Sequence, residues 1–267
     1  MHKNTNMSTF SKEKIIVLET KLKELVKKKL SAEEIARSLG VSSSTIRRYA
    51  KKLSINFYNY HNELKFDNTV FDVIDTEEKA YWLGFLYADG NVGKETNIVT
   101  LSLAEKDLEH LLKFKKFIRF TGKIYRNSST NSYRLCVCNE YFKKALINKG
   151  CVPAKSLILK FPEKDIFKRE ELLIPFIRGY IDGDGCLTFG SGGRLSIQIL
   201  GTKEFLEEIN KYLNGMHLYK IKRLKTNTWT LNTSGNNADR IATLLYKNAN
   251  IYLERKFNRF VVLCRNT

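Results

Sequence analysis

Between Ser11 and Lys29 the apolar residues Ile15, Leu18, Leu22, Leu25 and Val26 recur at steps of three and four, which places them on one stripe of a helix. Ser31, with Glu34 three residues on, forms a capping box for a second helix over AEEIARSL, and Gly40 ends it. A third helix is predicted to start among Ser42 to Ser44 and to run through TIRRYAKKL. Ala36, Gly40 and Ile46 then supply a small residue where two helices approach, a glycine at the turn and an aliphatic plug between them, which is helix-turn-helix spacing. Ser43, Ser44, Arg47, Arg48, Lys51 and Lys52 are left on the free side of the third helix.

The pattern changes after this module, which spans residues 1–60. Residues 61–75 lose helical periodicity and read as a linker. Beyond it, YWLGFLYADG at 81–90 and FIRGYIDGDG at 176–185 share one plan: bulky apolar residues, a glycine, then an aspartate and a glycine, with Asp89 and Asp184 95 positions apart. Asp75 with Glu78 is a capping signal for the first of these helices, and Pro175 suits the first turn of the second. Gly84 and Ala88, like Gly179 and Gly183, are four apart and share a face, so the two helices are expected to pack nearly backbone to backbone.

After each motif the period shortens to two. NIVTLSLA and RLSIQIL alternate as strands do, with Leu101 and Leu103 matching Ile197 and Ile199 at an offset of 96. A helical stretch follows in each copy, then a hairpin-like pair, Tyr125 with SYRLCVC and Tyr219 with TWTLNT, then a third helix. Residues 76–165 and 166–267 therefore each read helix, two strands, helix, two strands, helix. The fold class is α+β, a duplicated αββαββα core behind a small all-α module. The outer face of the sheets is expected to carry Thr100, Ser102, Arg134, Gln198, Lys220, Lys222, Thr228 and Thr230.

Charge turns this architecture toward a polyanion. Lys and Arg number 46 against 28 Asp and Glu, a net of +18, and residues 1–60 alone hold 13 against 5. Hydroxyls and guanidinium groups on the third helix suit phosphates and base edges in a major groove, so double-stranded DNA is the expected partner. The five cysteines, Cys136, Cys138, Cys151, Cys186 and Cys264, lack zinc-knuckle spacing and read as reduced, mostly packing residues. No apolar run reaches about 18 residues and the start has no apolar signal core, so no membrane association is expected. The expected location is intracellular: the cytoplasm or nucleoid of a prokaryote or phage-infected cell, or an organelle.

If the two glycine-spaced helices pair in parallel, Asp89 and Asp184 emerge at the same end, beside two helix C-termini. Like charges so placed call for a cation between them, and oxygen ligands without His or Cys suit Mg²⁺.

WLGFLYADG at 82–90 and IRGYIDGDG at 177–185 resemble the paired motifs of the LAGLIDADG homing endonucleases in their single-chain form, over roughly residues 76–265. The resemblance implies saddle-shaped antiparallel sheets related by a pseudo-twofold axis. It assigns Asp89 and Asp184 as catalytic metal ligands, with Gly90 and Gly185 beside them in the metal site, and implies Mg²⁺, with Mn²⁺ able to substitute. It also points to Lys155 in CVPAKS and Lys256 in YLERKF as catalytic cations. The implied activity is hydrolysis of one phosphodiester per strand of a long asymmetric DNA target by a monomer. Asp182, where the first motif has Tyr87, departs from the repeat and reads as a helix-end residue. The alternative is a scaffold without catalysis, serving as a DNA-binding regulator or an intron RNA maturase. Two adjacent acids argue for the enzyme.

Overall fold

A computed structural model describes residues 12–28, 30–55, 65–190, 192–221 and 228–266, which fall into two compact units divided after Leu64. In the first unit, α1 (Lys12–Lys27), α2 (Ala32–Leu39) and α3 (Ser43–Lys52) enclose a core of Leu18, Leu22, Ile35, Ala36, Ile46 and Ala50. The Ser31–Glu34 capping box is formed in both directions. Gly40 takes the left-handed conformation at φ 65°, and its N–H bonds the Ala36 carbonyl, so the turn uses the conformation glycine supplies at no steric cost. Ser42 caps α3 by accepting from the Thr45 N–H.

The second unit repeats one plan. Its first half runs α4 (Glu77–Asp89), β1 (Gly90–Val92), β2 (Ile98–Ala104), α5 (Leu108–Phe117), β3 (Tyr125–Asn127), β4 (Ser132–Cys138) and α6 (Glu140–Asn148). The second runs α7 (Leu173–Asp184), β5 (Gly185–Phe189), β6 (Leu195–Gly201), α8 (Lys203–Leu213), β7 (His217–Lys220), β8 (Trp229–Ser234) and α9 (Asn236–Tyr246), then adds α10 (Glu254–Asn266). Each half forms a four-stranded antiparallel sheet, β1-β2-β4-β3 and β5-β6-β8-β7.

The core of the unit is the crossing of α4 and α7. A Cβ on Gly84 would lie 1.9 Å from the Phe176 carbonyl oxygen, and one on Gly179 would lie 2.0 Å from that of Tyr81. A Cβ on Gly183 would meet the Cβ of Ala88 at 2.3 Å. The four small residues therefore hold two backbones in contact, and no larger side chain fits at Gly84, Gly179 or Gly183 without a shift. Both helices are apolar almost all round because each is wrapped by the other and by the inner faces of the sheets.

Several expectations are corrected. Residues 65–75 are not a linker: Phe71 and Ile74 are fully buried, Phe66 packs edge-on to Phe120 and Phe142, and the backbone of Lys65 and Asp67 bonds that of Thr121 and Ile118. The apolar residues in that stretch outweighed its lack of period. Thr76 rather than Asp75 caps α4, and Asp75 instead pairs with Lys79 at 2.8 Å. Leu101 lies opposite Gly90, whereas Ile199, not Ile197, lies opposite Gly185, because β5 is longer than β1. Only Cys151 among the cysteines is buried, and Cys138, Cys186 and Cys264 are exposed. No helix among the described residues is long and apolar enough to cross a membrane.

Candidate active site

Asp89 and Asp184 are the last residues of α4 and α7, and the close crossing brings those helix ends together. Asp89 Oδ2 stands 3.3 Å from where a Cβ on Gly183 would sit, one residue before Asp184. Burial is the main reason the Asp89 carboxyl is pushed up to about 6, and the Asp184 charge adds to it. Asp184 is exposed yet flanked by enough protein to raise its pKa as well, again chiefly by desolvation. Lys155 and Lys256 oppose both shifts; Lys256 is the stronger cation at Asp89 and Lys155 the stronger at Asp184.

The two lysines occupy matching places. Lys155 opens a short turn after α6 and donates to the Gly90 carbonyl. Lys256, 2% exposed in the first turn of α10, donates to the carbonyls of Ile181, Asp182 and Gly185, and so closes the C-terminus of α7. A cation against unpaired terminal carbonyls is favourable there. Burial drives the Lys256 pKa down to about 8, and the carboxylates of Asp182 and Asp89 oppose the drop. The carbonyls of Gly90 and Gly185, expected in a metal site, thus each hold a lysine and keep one lone pair each.

The donor set fits a hard cation. It offers two carboxylates that repel each other and two carbonyls, all oxygen, and among the described residues no cluster of three His, Cys, Asp or Glu competes as a softer site. With only two carboxylates, the protein would leave such an ion open to water and phosphate oxygens.

Asp182 lies in the last turn of α7, as expected, but its side chain does more than finish a helix. It is wholly buried and accepts from Tyr81 Oη at 2.8 Å, Tyr246 Oη at 2.6 Å and the Leu253 N–H at 2.7 Å. Because Tyr81 spends its proton on Asp182, His110 Nε2, 2.9 Å from the same hydroxyl, is the donor there, which fixes the tautomer of His110. Burial holds that imidazole neutral, down to about 3. Arg178, also buried, donates to the carbonyls of Leu245 and Ile251 and pairs with Glu77 across the two halves. Sequence reasoning missed this network. Its signal was an arginine and an aspartate four apart inside an otherwise apolar helix.

The sheet faces sort the remaining expectations. Strand pairing puts Thr100, Ser102 and Arg134 on the outer face of the first sheet, with Arg134 over the Tyr125 ring at 6.0 Å. On the second, Gln198 donates to Thr230 and Thr230 to Asn232. Lys220 is a correction: it pairs with Trp229 and alternates with Tyr219, so it shares the helix-facing side of the sheet with Leu218 and Leu231. Lys222 lies outside the described residues. On α3, Ser44, Arg47, Arg48 and Lys51 are exposed and Ser43 is half-buried, while Arg47 pairs with Glu33 of α2.

A duplicated αββαββα core with one carboxylate at the end of each central helix is thus joined to a helix-turn-helix module. The chain resembles the LAGLIDADG homing endonucleases. The family described as HTH domain matches residues 17–58. An uncharacterized protein of Methanocaldococcus jannaschii is 25% identical over 149 residues, 55% of this chain, and the chain spans about half (56%) of that relative's length. Among solved structures, the I-LtrWI LAGLIDADG homing endonuclease bound to target DNA matches 69% of this chain and 85% of its own, at 17% identity and a TM-score of 0.42. I-SmaMI bound to uncleaved DNA target in the presence of calcium ions matches 70% and 89%, at 14% identity and a TM-score of 0.47.

Proposed function

We propose that the protein is a divalent-metal-dependent, site-specific DNA endonuclease that hydrolyses one phosphodiester on each strand of a long asymmetric target. The observation that carries this reading is the convergence of Asp89 and Asp184 at the ends of two helices in backbone contact, with a lysine from each half beside them. Desolvation raises both carboxyls and the Asp184 charge raises that of Asp89 further, so the pair is costly to keep as bare anions, and a cation shared by them and by a scissile phosphate would offset that cost.

Asp89 and Asp184 would hold Mg²⁺, which when bound supplies a Lewis acid for water activation and for the leaving oxygen. The Lys155 and Lys256 ammonium groups would offset charge that develops on phosphoryl oxygens. Water forms the new bond to phosphorus as the bond to the leaving oxygen breaks, and the proton lost by water balances the one the leaving oxygen gains. The outer sheet faces present Arg134 and Tyr125 on one side and the Gln198–Thr230–Asn232 chain on the other, two unlike surfaces for two unlike half-sites. The helix-turn-helix module adds affinity through local concentration.

The test is incubation of the full chain with a randomised duplex library. Cuts on both strands at one sequence, appearing with Mg²⁺ or Mn²⁺ and stopped by EDTA, are expected. Selective binding with neither metal supporting a cut would overturn the enzymatic reading and leave a DNA-binding scaffold.

A further inference from the structure

The residue two before each candidate metal aspartate is Tyr87 in the first half and Asp182 in the second, a pair that looks unmatched by type. The structure gives them one task. Tyr87 Oη donates to the Lys149 carbonyl, in the segment that leads from α6 to Lys155. Asp182 Oδ2 accepts from the Leu253 N–H, in the segment that leads from α9 to Lys256. One side chain donates to a backbone carbonyl and the other accepts from a backbone N–H. Each is buried on its motif helix, and each ties that helix to the segment bearing its own half's lysine.

The fit around each tie is close. A Cβ on Gly150 would lie 2.0 Å from Tyr87 Oη, so the segment passes directly over the hydroxyl, with Gly150 at φ 89°. Asp182 is held from three sides by Tyr81, Tyr246 and Leu253, and its backbone carbonyl also accepts from Lys256. The first tie is one hydrogen bond to a half-buried lysine's segment; the second anchors a lysine already wedged among the carbonyls of α7.

Resting on the nuclease reading above, we propose that Tyr87 and Asp182 are positioning residues, each aligning the lysine of its own half, so that loss of either slows one strand's cleavage selectively. Neither touches the reacting atoms, and their effect passes through Lys155 and Lys256. Misplacement of a reacting-site group by about 1 Å costs on the order of 100-fold, so a partial release is expected to slow one strand about 10-fold or more.

The experiment uses the full-length protein with its selected duplex labelled separately on each strand. Lys155→Ala and Lys256→Ala first assign which strand depends on which lysine. Tyr87→Phe is then expected to slow the strand that Lys155→Ala slows, and Asp182→Asn the strand that Lys256→Ala slows, with nicked duplex accumulating in both. Amide hydrogen exchange without metal gives an independent readout: Asp182→Asn should unprotect Leu253 and leave the 149–151 amides protected, and Tyr87→Phe the reverse. Equal slowing of both strands, or exchange that rises equally at both segments, marks a general loss of packing and overturns the proposal. If the wild type cuts neither strand with Mg²⁺ or Mn²⁺, the nuclease reading falls, and the exchange pattern alone decides whether the two ties exist.

Discussion

The half that carries Lys155 and the half that carries Lys256 have the same order of helices and strands, yet unlike polar groups finish them. One lysine has a single backbone partner and the other three or more; one motif helix is tied down by a phenol and the other by a carboxylate. The outer face of one sheet offers a guanidinium over an aromatic ring, and the other offers amides and hydroxyls bonded among themselves. What the halves share is steric: the glycines of the α4/α7 crossing and the inward apolar rows. The polar groups differ because a buried bond needs a donor and an acceptor in register, and it does not matter which side supplies which.

The largest expected effects test where the halves must be alike. Asp184→Asn and Asp89→Asn should each lower cleavage by more than about 10³-fold with DNA binding retained, measured by gel cleavage beside equilibrium binding. Normal cutting by either variant would remove that aspartate from the site. Next, Gly84→Val and Gly179→Val should each cost about 3 kcal/mol of stability, seen in denaturant midpoints, since both force a side chain into a facing backbone carbonyl. A marked inequality between them would mean that the crossing is not shared evenly.

Removing residues 1–64 should weaken binding about 100-fold and flatten its dependence on salt, because the module's basic helix is lost. Equal affinity at every salt concentration would leave the module without a part in recognition. Smaller still, Arg134→Ala and Gln198→Ala should each relax discrimination about 10-fold, and only in the half-site their own sheet meets. A library selection that shows relaxation spread over both half-sites would contradict two independent faces.

A pH dependence tests the aspartate pair itself. Asp89 ionises near 3.8 in an ordinary setting and at about 6 in the folded protein, so its proton favours the fold. That contribution is complete at acid pH and is lost as pH rises through about 6. In metal-free buffer the thermal midpoint of the wild type, taken relative to Asp89→Asn, should therefore fall between pH 4 and pH 6, the span of about two units this shift opens. A rise over that span would mean that the carboxylate is stabilised as an anion.

Much of the architecture was legible because it is written in periodicity. The glycine pairs announced the crossing, the alternating rows announced the strands, and Ala36, Gly40 and Ile46 announced the first unit. What stayed hidden depended on which groups meet in space. The buried tasks of Asp182, Arg178 and His110 follow from partners as far off in sequence as Leu253, Ile251 and Tyr81, and no local pattern names them. Lys220 was misplaced for a simpler reason: at a strand end, one step of register moves a side chain to the other face.

The segments that follow α6 and α9 each leave their own half for the other. Leu159 receives a hydrogen bond from Thr202, and Phe161 stacks on Tyr212, meets Phe176 edge-on and packs at a tilt against Phe205. In return Asn250 bonds Glu77, Glu254 meets Lys113, and Arg255 meets Asp107. The halves clasp each other like a handshake, so a chimera joined at residue 165 would graft one parent's fingers onto the other parent's palm. Exchange of half-sites between relatives has to carry the receiving surface along with the arm that reaches it.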